Sequence, residues 1–266
     1  MKASQWISSC GILILNCFSL ASMSYASDES YIDMLNLTDR GSITDTPYVI
    51  PNKSLLIESG YQYLSLKIDG PLYNVPQTTT VSLGVNFNTE IFVIFPTYYF
   101  LSKPEVSGFD TPSFGVKHEF MHGHNWLVSL QGIGSMSGGS DAFGHQGAGG
   151  QLNALATYSI NSSFDVSGMF GVSTSTEASA GGGAGFSSLN PSIALSYKPA
   201  ETTSVFVELF GQTKAGYFVG SVFGTDCGLV YQFTKNASLD FEVVKNISSN
   251  LLYYNYYLAS GITVLF

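Results

Sequence analysis

Between Thr80 and Phe87 the chain reads Thr-Val-Ser-Leu-Gly-Val-Asn-Phe, with every second residue apolar and every residue between them small or polar. Side chains on a β-strand alternate between its two faces, so this period marks a strand with one apolar and one polar face. The pattern recurs. Val205, Val207 and Leu209 alternate with Ser204, Phe206 and Glu208, and Leu239, Phe241 and Val243 alternate with Asp240, Glu242 and Val244. Thr225, Cys227, Leu229, Tyr231 and Phe233 alternate with Asp226, Gly228 and Gln232. The segments run to roughly ten residues, the length of a tilted lipid-spanning strand (about 9–11), whereas strands of soluble domains are mostly about 5–6. Charged residues make up 11% of the chain, against about 25% in an ordinary soluble domain. Beyond the first 26 residues no run approaches the roughly 18 apolar residues of a membrane helix. An apolar chain without helical spans must satisfy its backbone in lipid through a closed sheet. The fold class expected is therefore all-β, a transmembrane antiparallel up-and-down β-barrel of about twelve strands.

Twelve segments fit this pattern: 53–65, 78–88, 90–101, 112–122, 125–136, 150–160, 164–175, 187–198, 203–213, 221–234, 238–247 and 251–266. The breaks between them alternate between short and long. Asn88-Thr89, Gly123-His124, 161–163, 199–202 and 235–237 are short; 67–77, 102–111, 137–149, 176–186 and 214–220 are longer. Short periplasmic turns and long outer loops alternate in this way in outer-membrane barrels. The break near 248–250 is short and departs from the trend. Upstream, residues 1–26 read as a secretory signal, with Lys2, the apolar core Ile12–Leu20 and the small-x-small site Ser24-Tyr25-Ala26. Residues 27–52 are polar and turn-rich, with Pro47 and Pro51, and are read as a periplasmic segment able to plug the barrel from below; residues 53–266 form the barrel. Loss of the signal leaves Cys227 alone, so no disulfide staples the fold. The expected location is the outer membrane of a Gram-negative cell.

With these segments placed, the chain resembles a known family. Leu37-Thr-Asp-Arg-Gly41, Thr46-Pro47 and Leu55-Leu-Ile-Glu-Ser-Gly-Tyr61 look like the opening of the transporter-like barrels grouped as "putative MetA-pathway of phenol degradation". Leu83–Glu90 and Ser113-Phe-Gly-Val-Lys117 are similar in spacing. The resemblance covers most of the chain. It departs at Arg40-Gly41, where the family has Arg-Pro, and at Pro51-Asn52, where it has Pro-Gly. It implies an outer-membrane barrel that passes small molecules, hydrophobic or aromatic ones among them, and it implies no catalytic residue.

His118-Glu-Phe-Met-His122 matches the zinc-protease pattern H-E-x-x-H. That chemistry needs a helix, on which both histidines share a face. Gly115 and Gly123 flank the motif, and on a strand residues four apart are separated by about 13 Å. A strand turning into a short loop is the reading taken, with a zinc metalloprotease as the remote alternative. Ser137-Gly-Gly-Ser-Asp and Ala180–Phe186 lack the strand and helix of a phosphate loop and are read as outer loops. No cofactor, metal or catalytic set is assigned, and the acidic balance argues against a nucleic-acid partner.

The polar face of the segments carries Glu58, Glu90, Glu119, Asp165, Glu208, Asp226, Asp240 and Glu242 against Lys117 and Lys198. These are the candidate lumen-lining residues, crowded toward the short-turn end. They form either an internal polar network that stiffens the barrel or a lumen that favours cations. The last segment puts Tyr254, Tyr256, Leu258, Ile262, Val264 and Phe266 on one face, toward lipid, with aromatic residues at both interfaces. Tyr256, Leu258, Ile262, Val264 and the terminal Phe266 also resemble the address read by the outer-membrane assembly machinery. The expected partners are outer-membrane lipid, that machinery and a small solute. The function expected is a channel for small molecules; a structural or adhesive surface barrel is the alternative.

Overall fold

The computed structural model describes residues 34–67, 70–248 and 254–266. The signal read at 1–26 and the first residues of the closing segment, 251–253, lie outside the described residues. Numbered in chain order, the strands are β1 (Leu55–Leu66), β2 (Leu72–Val85), β3 (Thr89–Ile94), β4 (Tyr98–Ser102), β5 (Glu105–Phe109), β6 (Ser113–His122), β7 (Trp126–Ser135), β8 (Gly149–Asn161), β9 (Phe164–Thr176), β10 (Gly185–Ala200), β11 (Thr203–Gln212), β12 (Val222–Thr234), β13 (Ala237–Asn246) and β14 (Tyr254–Leu265). One helical turn, α1 (Met34–Leu37), precedes them.

β1 pairs antiparallel with β2 on one side and with β14 on the other, which closes the sheet. The closed ring runs β1, β2, β3, then β6 through β14: twelve strands, each antiparallel to its neighbours. Leu55 and Phe266 exchange backbone hydrogen bonds at 3.0 and 2.8 Å where the first and last strands meet. The turn between β2 and β3, residues 86–88, places Phe87 and Asn88 at φ of 67° and 50°, left-handed values that residues other than glycine seldom adopt outside turns.

The burial pattern is inside out for a soluble protein. Leu83, Ile91, Val93, Val207, Leu209, Phe241 and Ile262 are exposed, whereas Ser82, Glu90, Lys117, Gln131, Asn153, Glu208 and Asp240 are buried. In a single-layer ring the buried face points inward. A continuous apolar outer wall of this size is stable only against lipid, and alternate residues then face the lumen.

Three details differ from the sequence reading. The segment expected as one strand at 90–101 is two: Phe95-Pro96-Thr97 ends β3, and Pro96 has no N–H to continue a ladder. The chain then forms the β4–β5 hairpin across the end of that segment and the loop expected at 102–111, and β4 pairs with the far end of β2 at Leu72–Asn74, which extends into the loop expected at 67–77. This hairpin and the end of β2 pack onto loop 136–148, Leu101 and Leu72 against Phe143, with Tyr99 and Phe143 stacked at 5.3 Å. Finally, Tyr254 is buried rather than lipid-facing. The β1–β14 register jumps from Ser65↔Tyr256 to Leu66↔Tyr254. The extra residue, Asn255, inverts the alternation. Tyr256, Leu258, Ile262, Val264 and Phe266 keep the expected outward face, with Leu258, Ile262 and Phe266 exposed.

Candidate lumen site

The inward face of the ring is met by residues 34–52. Thr38 donates its hydroxyl to Glu58 of β1 at 3.0 Å, and the backbone N–H of Asp39 reaches the same oxygen at 3.1 Å. Arg40, the chain's single arginine, lies flat against Asp240 of β13, Nε to Oδ2 at 3.1 Å and Nη2 to Oδ1 at 3.3 Å. This two-point contact matches the planar fork of guanidinium to carboxylate. Ile43 and Thr44 give their N–H groups to Oε2 of Glu208 on β11 at 3.1 and 3.2 Å, and the Thr44 hydroxyl reaches Oε1 at 2.8 Å. Ile50 gives its N–H to Glu90 of β3 at 3.1 Å.

Cations of the wall reach back. Lys117 of β6, 1% exposed at its side chain, places Nζ 2.8 Å from Asp39 and 3.6 Å from Glu90, and donates to the Tyr48 carbonyl at 3.4 Å. Lys198 of β10 donates to the Asn36 amide oxygen at 2.7 Å and lies 3.5 Å from Asp165. Ser129 of β7 donates to the Pro47 carbonyl. One short segment thus touches inward side chains on β1, β3, β6, β7, β10, β11 and β13, so it crosses the ring.

The wall is cut to receive it. Gly60 and Gly261 are cross-strand partners on β1 and β14, and a Cβ at either would strike the Arg40 guanidinium. A Cβ at Gly84 would strike the carbonyl of Pro51. Met34, Leu37 and Ile50 form an apolar cluster with Leu56 and Leu265 at the short-turn end. At about 25 cal/mol per Å² such burial adds to the polar contacts.

Of the sequence-predicted lumen residues, Glu58, Glu90, Lys117, Glu208, Asp226, Asp240 and Glu242 are all buried on the inward face. Asp165 is half-buried beside Lys198. Glu119 stands apart: it lies at the rim, 2.5 Å from His122. Glu242 receives the Tyr257 hydroxyl at 3.4 Å. Neither oxygen of Asp226 has a partner among the described residues. Sequence reasoning missed the roles of Asp39, Arg40 and Thr44. A lone arginine in a chain of few charges was the available signal.

His118–His122 is the end of strand β6, and a register shift falls between Glu119 and Met121. His118 bonds Thr89 at 2.9 Å and His122 bonds Glu119, so the motif lacks the helix that would turn both histidines to one metal. At the opposite end, His145 sits 3.6 Å from Asp110 and 3.3 Å from the Ser175 hydroxyl. Its Nδ1 also lies 2.8 Å from the Thr176 carbonyl, which can only accept. That nitrogen carries the proton and cannot serve Ser175 as a base, so the contacts tie loop 136–148 to Asp110 and to the end of β9. Burial raises the Asp110 carboxyl above its ordinary range, opposed by the charge of His145 and by hydrogen bonds from Thr111.

No curated protein matches the chain. Among solved structures it is similar to the COG4313 outer membrane channel from Pseudomonas putida F1, with a TM-score of 0.64 and 10% identity, covering 82% of this chain and 97% of that one. The KdgM porin in complex with disordered oligogalacturonate aligns with a TM-score of 0.53 and 10% identity over 79% of this chain and 98% of its own. The NanC porin does so at 0.51, with the same identity and coverage. At such identities the likeness is one of fold, the outer-membrane β-barrel. Sequence comparison is more specific: residues 38–258 match one family throughout, and the chain belongs to the family described as "Putative MetA-pathway of phenol degradation".

Proposed function

We propose that the protein is an outer-membrane channel for small molecules, with residues 34–52 as a plug in a lumen that favours cations. The observation that carries this is the inward row Glu58, Glu90, Glu208 and Asp240, each bonded to that segment. Apart from the cluster of Met34, Leu37 and Ile50 at one end, the segment is held by polar contacts that water can replace, which makes it a removable occupant. The acids it covers would give an open lumen a negative potential. The similar structures, an outer membrane channel and two porins, agree with this reading. In planar bilayers under a potassium chloride gradient, the reversal potential is expected to show cation preference. An anion-selective reversal would overturn it.

The N-terminal 26 residues direct export on this reading, and the closing strand addresses the assembly machinery. Phe266 is two-thirds exposed at the seam, and its main chain pairs with Leu55. Deleting Phe266 is expected to cut the amount of folded barrel in the outer membrane severalfold while export to the periplasm continues. Unchanged outer-membrane levels would remove the addressing role.

A further inference from the structure

Asp226 of β12 is 3% exposed, and both of its oxygens are buried without a partner among the described residues. An uncompensated buried carboxylate is costly, and an ionisable group on the interior face of a membrane protein marks a place where a partner charge or an ion binds. Its cross-strand partner on β11 is Glu208, and the charges that bear on it are those of Glu208 and Glu242. Its partner on β13 is Val244, which in turn faces Tyr257 on β14. Val244 and Tyr257 belong to an inward apolar cluster with Phe210, Tyr254 and Ala259, and Ile43 of the plug packs against that cluster. A bare carboxylate therefore stands at the edge of an aromatic patch inside the lumen.

The plug already imitates a ligand there. Ile43 lays an aliphatic side chain on the aromatic patch, while the adjacent N–H groups fill the acceptors of Glu208. Apolar body plus N–H donors is what a small amphipathic amine presents. Among the described residues no three His, Cys, Asp or Glu side chains are placed to hold a metal ion, which points the site away from a chelated metal and toward an organic head group.

We propose that Asp226, with Glu208 and the Phe210–Tyr257 patch, forms a binding site for a primary ammonium carried on an aromatic or alkyl body, and that Ile43-Thr44 is its internal competitor. The inference rests on the channel reading for its access route.

The test uses the full chain folded in detergent, with 2-phenylethylamine and its neutral counterpart 2-phenylethanol as probes in titration calorimetry. Saturable amine binding is expected, with the alcohol weaker by about tenfold or more, the loss of one charge-assisted hydrogen bond. Asp226→Asn should lower amine affinity by a similar factor. It removes a buried charge, and a heat-modifiable gel band verifies that it folds. Ile43→Ala should tighten binding by vacating the patch. Equal binding of amine and alcohol, or amine binding that survives Asp226→Asn, would overturn the site. Calcium binding lost in Asp226→Asn without any amine binding would overturn it in favour of a metal. Because binding is read without conduction, a barrel that binds amine but passes no current fails only the channel reading. A cation-conducting barrel that binds no amine fails only this one.

Discussion

Lys117→Met is expected to destabilise the folded barrel by about 3–5 kcal/mol, the cost of removing one partner from a buried ion pair and stranding the other. Lys117, itself buried, is the cation between half-buried Asp39 at 2.8 Å and buried Glu90 at 3.6 Å. Methionine fills a similar volume, so packing is nearly conserved and the change isolates the charge. Glu90 would keep the Ile50 N–H, and Asp39 would keep the Thr46 N–H at 2.7 Å. Neither donor neutralises a carboxylate. The measurement is the urea midpoint of the folded band in phospholipid vesicles, where a shift at constant slope reports stability. Lys117→Met combined with Asp39→Asn should cost less than Lys117→Met alone, since the second change removes the stranded charge. An unchanged midpoint for Lys117→Met would mean that water reaches the trio and that the segment packs loosely. The single variant should also make residues 34–52 more open to protease, because that lysine is their contact on β6.

The wall of the barrel was legible in the sequence because strand alternation is a local property: Val207 and Leu209 must face opposite to Ser204 and Glu208 whatever else the chain does. The same argument put Glu58, Glu90, Lys117, Glu208, Asp226, Asp240 and Glu242 on the inward face. It failed where pairing depends on distant chain. Tyr98–Leu101, expected as the end of the wall segment 90–101, turns back in a hairpin instead, because the far end of β2 offers a free edge at Leu72–Asn74. Tyr254 was misplaced because one bulge residue, Asn255, inverts its face. The site was legible only by half. The acids could be named, but not their partners. Those partners are largely backbone N–H groups of Asp39, Ile43, Thr44 and Ile50, which leave no mark in composition. Arg40 was the exception: a chain with a single arginine has spent it against Asp240.

Deleting residues 34–50 is expected to raise single-channel conductance severalfold and to strengthen cation preference. Twelve strands lie between the eight that enclose only side chains and the sixteen that leave a water channel, so an occupant of this size governs the free cross-section. The deletion uncovers Glu58, Glu90, Glu208 and Asp240 and removes the guanidinium that offsets Asp240. It differs from Lys117→Met in what it leaves behind, since carboxylates in an emptied lumen are rehydrated instead of stranded. The barrel should therefore survive, losing mainly the contacts of Met34, Leu37 and Ile50 with Leu56 and Leu265. Retention of the heat-modifiable band establishes this before any recording. Arg40→Gln serves as the partial case: it loosens one tether and should produce brief openings to the larger conductance, with the resting level unchanged. If the deletion folds and conducts no better than the full chain, the barrier lies at the other end, in the cap where Phe143 packs on Leu72 and Leu101. Residues 34–52 would then be an internal brace, and the acids beneath them a scaffold for it.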